Sequence, residues 1–131
     1  MRSEVMFVDA NLLIYLNLGE ERVERFFEKL LMEFRLFTDV LVLDETLYVS
    51  WRRYGVKYED TLRFLDEVVL PYVKILSLRQ EEYVKARNYM GALKPSDALH
   101  VAAMLNNGIN LIASEDRDFD RVEGIKRVWV E

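Results

Sequence analysis

The chain is expected to fold as an α/β domain, a mostly parallel central sheet with helices on both faces. Three observations predict this. Short, continuous apolar runs alternate along the chain with segments whose apolar residues recur every three or four positions. Continuous runs mark strands buried on both faces, and strands alternating with helices are the signature of parallel sheets. The apolar segments also end in acidic residues, and the carboxyl ends of parallel strands are where open α/β sheets bind ligands. Finally, 131 residues suit one domain, here expected over residues 1–131, which buries about two-thirds of its unfolded surface.

Val5-Met6-Phe7-Val8 is the first strand, with no polar residue on either face. Residues 11–16 read as a short helix. Residues 20–34 form the clearest helix: Val23, Phe26, Phe27, Leu30, Leu31 and Phe34 build one apolar face, with Glu, Arg and Lys between them. Residues 36–38 are a short strand and residues 43–54 a helix stopped by Gly55. Residues 58–70 are helical up to Pro71, 73–76 a strand and 80–90 a helix. Pro95 is favoured at a first helical position, so the apolar run 98–105 is a buried helix opening there. Residues 109–113 are a strand following Gly108, and 128–130 the closing strand. No repeat, low-complexity tract or linker interrupts the pattern.

Four carboxylates then fall where such a fold gathers them: Asp9 after the first strand, Glu45 at the opening of the 43–54 helix, Asp97 after Pro95, and Asp116 after the 109–113 strand. A carboxylate directly after a buried strand is desolvated unless a cation or several donors meet it, which marks Asp9, with Asn11 near enough to supply an amide. Asp97 lies in the first turn of its helix, where the dipole favours the ionised form; the same placement also serves as an ordinary cap. In the run Ser114-Glu115-Asp116-Arg117-Asp118-Phe119-Asp120, position after a strand selects Asp116, with Asp118 as an accessory, although such runs also form solvated loops. Asp44 reads as a cap or surface residue, and Glu115 and Asp120 as exposed. His100 reads as a packing residue at the edge of an apolar helix. An oxygen-rich cluster of this kind suits a hard divalent cation, Mg²⁺ or Mn²⁺, and hence an enzyme acting on phosphate esters.

Composition narrows the alternatives. Cysteine is absent and histidine occurs once, which excludes a disulfide framework and a thiolate zinc site and disfavours a histidine-based one. The N-terminal apolar stretch lacks a basic leader and is broken by Asp9, Asn11 and Asn17, so neither a signal peptide nor a membrane span is expected and the cytoplasm is the expected location. The net charge is −5, an unusual balance for a protein that meets nucleic acid. Removing the four proposed site charges leaves −5 + 4 = −1, and bound divalent ions reverse the field a phosphate meets.

With these residues assembled, the chain resembles the PIN-domain ribonucleases, and among them the toxins of VapBC-type toxin–antitoxin modules. The matching segments are Val8-Asp9-Ala10-Asn11, Leu43-Asp44-Glu45, Ser96-Asp97-Ala98-Leu99 and Ala113-Ser114-Glu115-Asp116-Arg117-Asp118-Phe119, in order over nearly the whole chain. The resemblance implies a helix-flanked parallel sheet, with Asp9, Glu45, Asp97 and Asp116 as the acidic metal site and Asp118 close to it. It also implies an RNA substrate, a homodimer, and a cognate antitoxin that blocks the groove. One departure is Ala10, where relatives often carry Ser or Thr; a missing hydroxyl there removes a hydrogen bond that could support the site.

The expected chemistry is a metal-activated water attacking an RNA phosphodiester, with Asp9, Asp97 and Asp116 holding Mg²⁺ or Mn²⁺ and Glu45 completing the cluster or orienting the water. Two other readings remain: a PIN-like RNA-binding or assembly module with feeble catalysis, and a phosphoacceptor receiver domain. The second ranks lower because Asp9 has no adjacent acid and Ser114-Glu115-Asp116 stands where a receiver has lysine.

Overall fold

The computed structural model describes residues 4–130. Its centre is a five-stranded sheet in the order β3-β2-β1-β4-β5, every neighbouring pair parallel. The strands are β1 (Val5–Val8), β2 (Arg35–Asp39), β3 (Val73–Leu76), β4 (Leu111–Ala113) and β5 (Lys126–Val128). The helices are α1 (Ala10–Asn17), α2 (Glu21–Glu33), α3 (Val40–Tyr54), α4 (Tyr58–Phe64), α5 (Gln80–Ala86) and α6 (Pro95–Asn106). In β1, Met6, Phe7 and Val8 are all fully buried. Consecutive strand residues point to opposite faces, so both faces of the sheet centre are covered.

Topology explains the covering. Right-handed crossovers from β1 to β2 and from β2 to β3 put α1 to α4 on one face. The next crossover returns past β2 and β1 to β4 in the opposite direction, which puts α5 and α6 on the other. Direction therefore reverses between β1 and β4. Their following loops diverge at the carboxyl edge and leave a crevice, the usual ligand position in such sheets.

Several boundaries differ from the sequence reading. Helix α3 starts at Val40, three residues earlier than expected, because Asp39 caps it directly from the end of β2: its Oδ1 accepts from the Val42 N–H at 3.1 Å. The β-branched Val40 and Val42 hide that start, since they favour strands. Strand β5 pairs over Lys126–Val128, not 128–130. It is an edge strand, and edge strands carry charge such as Lys126 and Arg127 that an apolar criterion misses. The 58–70 helix widens into a π-helical turn at Leu65–Val69 before Pro71, and the 80–90 helix finishes as a 3₁₀ turn at Arg87–Tyr89. Among the described residues, no helix is long and apolar enough to cross a membrane.

Candidate active site

The crevice above β1 and β4 is a groove of about 570 Å³. Asp9, at the tip of β1, forms its floor. The Asp9 carboxylate is 5% exposed and held from two sides: Oδ1 accepts from the Ala10 N–H at 2.8 Å, and Oδ2 from the Ser114 hydroxyl at 2.7 Å. Ser114 in turn accepts from Asn11 Nδ2 (3.2 Å) and from the Asp116 N–H (3.1 Å), while Asn11 Oδ1 accepts from the Glu115 N–H at 3.1 Å. The loop after β4 is thereby laced to the start of α1. The hydroxyl absent at Ala10 leaves neither Asp9 oxygen without a donor.

Asp97 comes from the other face of the sheet, in the first turn of α6 behind Pro95. It is 4% exposed, and its Oδ2 is buried without a hydrogen-bond partner. A carboxylate oxygen without a partner is among the most costly groups a protein can bury, and a cation or a proton relieves that cost. The strain appears in its acidity: burial, reinforced by the Asp9 charge and opposed by His100 and Lys94, pushes the Asp97 carboxyl up to about 7. Glu45 reaches the groove from the second turn of α3. Burial, and after it the charge of Asp9, raises its pKa as well. Asp116 lines the same groove, half-buried, and its Oδ1 accepts from the Asp118 N–H at 2.9 Å.

Asp9, Glu45 and Asp116 line this groove, and the buried Asp97 lies beside Asp9. The Asp118 carboxylate is not part of the groove lining; it faces Arg121 Nη2 at 3.6 Å, and Asp118 serves the loop through its backbone N–H. Asp44 is exposed at the groove rim, while Glu115 accepts a 2.8 Å bond from the Tyr15 hydroxyl and Asp120 pairs with Arg127. The Glu115 contact, ahead of burial, lifts the Tyr15 phenol to about 12.

His100 is more than packing. Its ring lies 5.4 Å from that of Phe7, but Nδ1 is 2.7 Å from Asp39 Oδ2, and Nε2 is 4.0 Å from both Asp9 Oδ1 and Asp97 Oδ1. Burial works against a charge on His100, yet the Asp39 bond and the charges of Asp39, Asp9 and Asp97 prevail and raise its pKa. An imidazolium there offsets part of the repulsion between the two aspartates. With His100 neutral, Asp9, Asp97 and His100 each offer a ligand atom within 4.8 Å of the others, a spacing compatible with one metal ion. The sequence reading does not single out Asp39. Its signal is the one that marks Asp9, an aspartate closing a strand and opening a helix.

The donor set is dominated by carboxylate oxygen, and one buried oxygen lacks a partner. Both features fit a hard divalent cation. The profile of the PIN domain family matches residues 6–125. Ribonuclease VapC13 of Mycobacterium tuberculosis is 28% identical over 134 residues, spanning 95% of this chain and 99% of the relative. Ribonuclease VapC6 of Methanocaldococcus jannaschii is 25% identical over 150 residues, spanning 96% and 97%. Among solved structures, VapBC2 of Rickettsia felis bound to a promoter DNA fragment shares the fold with a TM-score of 0.74 at 15% identity, covering 97% of this chain and 99% of its own. The Sarcin-Ricin loop cleaving toxin VapC20 of Mycobacterium tuberculosis does so with 0.71 at 20% identity, covering 88% and 92%.

Proposed function

The chain belongs to the PIN domain family, and on that premise we propose that it is a Mg²⁺- or Mn²⁺-dependent endoribonuclease, the toxin of a toxin–antitoxin pair. One observation carries the metal-dependent chemistry: the buried, partnerless Asp97 oxygen beside Asp9, the carboxylate that floors the groove. The names of relatives that match nearly end to end, both ribonucleases, support RNA as substrate. Neighbours solved as toxin–antitoxin complexes, including one from Klebsiella pneumoniae at a TM-score of 0.71, support a cognate antitoxin as partner.

In this reading Asp9, Asp97 and Asp116 would hold the cation, and Glu45, on the same groove, would orient the attacking water. When bound, a divalent ion activates water and neutralises charge developing on the scissile phosphate. The chain's own residues do the rest. Ser114 pins Asp9 Oδ2 and Asp116 N–H with one hydroxyl, so two ligands from different strands keep a common geometry. Asp39 holds Nδ1 of His100, which fixes the ring with Nε2 toward the aspartates. Glu45, with its raised pKa and half-buried carboxylate, is suited to take a proton from the attacking water. Lys94, on the groove wall, supplies a cation for a phosphate oxygen.

Asp97→Asn is the cleanest test, because the substituted oxygen has no hydrogen bond to lose, whereas Asp9→Asn would set an amide against the Ser114 hydroxyl. Cleavage of single-stranded RNA with Mg²⁺ or Mn²⁺ should stop on chelation. In Asp97→Asn it should fall by roughly two orders of magnitude, ~3 kcal/mol of transition-state stabilisation. Full activity in EDTA, or in the variant, would overturn the proposal.

A further inference from the structure

The groove does not end at its acidic floor. Its wall on α3 carries Tyr48, whose ring centroid lies 6.0 Å from that of Trp51, and Trp51 lies 5.4 Å from Tyr58 at the start of α4. The three side chains are 51%, 45% and 44% exposed and adjoin one another in a continuous aromatic patch, the kind of exposed apolar surface that marks an interaction site. The ladder is built, not incidental. Gly55, at φ +68°, caps α3, and the Val56 N–H returns to the Ser50 carbonyl at 3.0 Å, which turns Tyr58 back onto Trp51. Beneath the turn, Asn17 Nδ2 donates to Ser50 Oγ at 3.2 Å and to Thr61 Oγ1 at 2.9 Å, so α1 locks α3 to α4.

Charge identifies the occupant. Arg52, Arg53 and Lys57 flank the ladder, are exposed, and form no ion pair among the described residues. Arg53 shares the groove wall with Tyr48. In a chain of net charge −5, these three unpaired cations outnumber the exposed Asp44 and Glu59 beside the ladder and complement a polyanion with planar bases. Aromatic faces that stack bases beside cations that follow the backbone are how single strands are held without sequence readout. A strand with a phosphate at the acidic floor that leaves along α3 crosses Tyr48 on the groove wall.

We propose that Tyr48, Trp51 and Tyr58, flanked by Arg52, Arg53 and Lys57, form a stacking platform for the nucleotides of single-stranded RNA adjoining the scissile phosphate. The platform rests on the ribonuclease reading and adds to it the path of the substrate. These are positioning residues, whose loss weakens binding and leaves the metal site intact.

The test is fluorescence anisotropy with a labelled, mixed-sequence single-stranded RNA. An Asp97→Asn background keeps the probe whole. Adding Trp51→Ala should weaken binding about tenfold, the scale of one lost stacked base. Trp51→Phe, which retains a ring, should bind within about threefold of the parent, and Tyr58→Ala should weaken binding in the same direction as Trp51→Ala. With Asp97 restored, Mn²⁺ should raise the Tm of the Trp51→Ala protein as it does the wild type. Unchanged RNA affinity in Trp51→Ala overturns the platform alone. If that variant instead shows a reduced mass in light scattering, the surface is a protein interface, which also overturns it. A parent that does not bind RNA at all overturns both the platform and the ribonuclease reading.

Discussion

Asp97 concentrates the cost of this site. Its carboxyl holds a proton to about pH 7, while in the unfolded chain it would lose it near ~3.9. The folded state thus binds more protons across that window, and the stability this group permits is lost as pH rises from about 4 through about 7. Glu45 and His100, also raised, act in the same direction. Metal-free protein should therefore melt at progressively lower temperature from pH 5 to pH 8, with a slope of up to about 1.4 kcal/mol per pH unit from a single proton. Mn²⁺ should reverse the trend, since it binds the deprotonated set and stabilises the native state by mass action. Asp97→Asn should flatten the metal-free slope and shrink the Mn²⁺ shift, whereas Asp66→Asn, on the exposed surface, should change neither. A steep slope persisting in Asp97→Asn would move the strain to another group.

At the scale of elements, the position of α6 matters most, because it delivers both Asp97 and His100. Glu82 of α5 anchors its far end. It is 2% exposed, and accepts from the Arg79 N–H at 2.7 Å and from Asn106 Nδ2 at 2.7 Å, where α6 ends. The first of these bonds, then the second, lowers its pKa. The sign is opposite to that of Asp97: the stabilisation is complete above the unfolded value near ~4.3 and is lost as pH falls through the lower folded one. Glu82→Ala should cost about 2 kcal/mol near neutral pH, a typical loss for charge-assisted hydrogen bonds, and chemical denaturation would measure it. The same variant should lose part of the acid sensitivity of the wild type. A cost below a few tenths of a kcal/mol would mean that packing alone holds α5 to α6.

For the whole molecule, the apolar stripe of α2 is largely absorbed by the core: Val23, Phe27 and Leu30 are buried, and Phe26 packs edge-on against Trp129 at 5.8 Å. What remains outside is a shallow apolar groove where Leu31 meets Val68 and Tyr72, the last 59% exposed. With the expected homodimer in view, this unburied surface motivates a prediction of assembly. Light scattering at micromolar concentration should give about twice the chain mass of 15.6 kDa. A monomer would leave the groove to the antitoxin or to solvent.

The amino-acid sequence by itself determined the layered α/β class, because burial on two faces and burial on one stripe leave different local periodicities, as in Val5–Val8 and along α2. It also marked Asp9, Glu45, Asp97 and Asp116, since a carboxylate at the end of an apolar run is conspicuous without any knowledge of its neighbours. Only the tertiary structure decided which of those ends adjoin. The strand order β3-β2-β1-β4-β5 sets Ser114 on Asp9 across 105 positions and His100 on Asp39 across 61. Pairing between strands is non-local, and no periodicity records it. That is why His100 reads as packing and Asp39 passes unnoticed until the sheet is assembled, and why the aromatic ladder of Trp51 and Tyr58 emerges only after Gly55 turns α4 back onto α3.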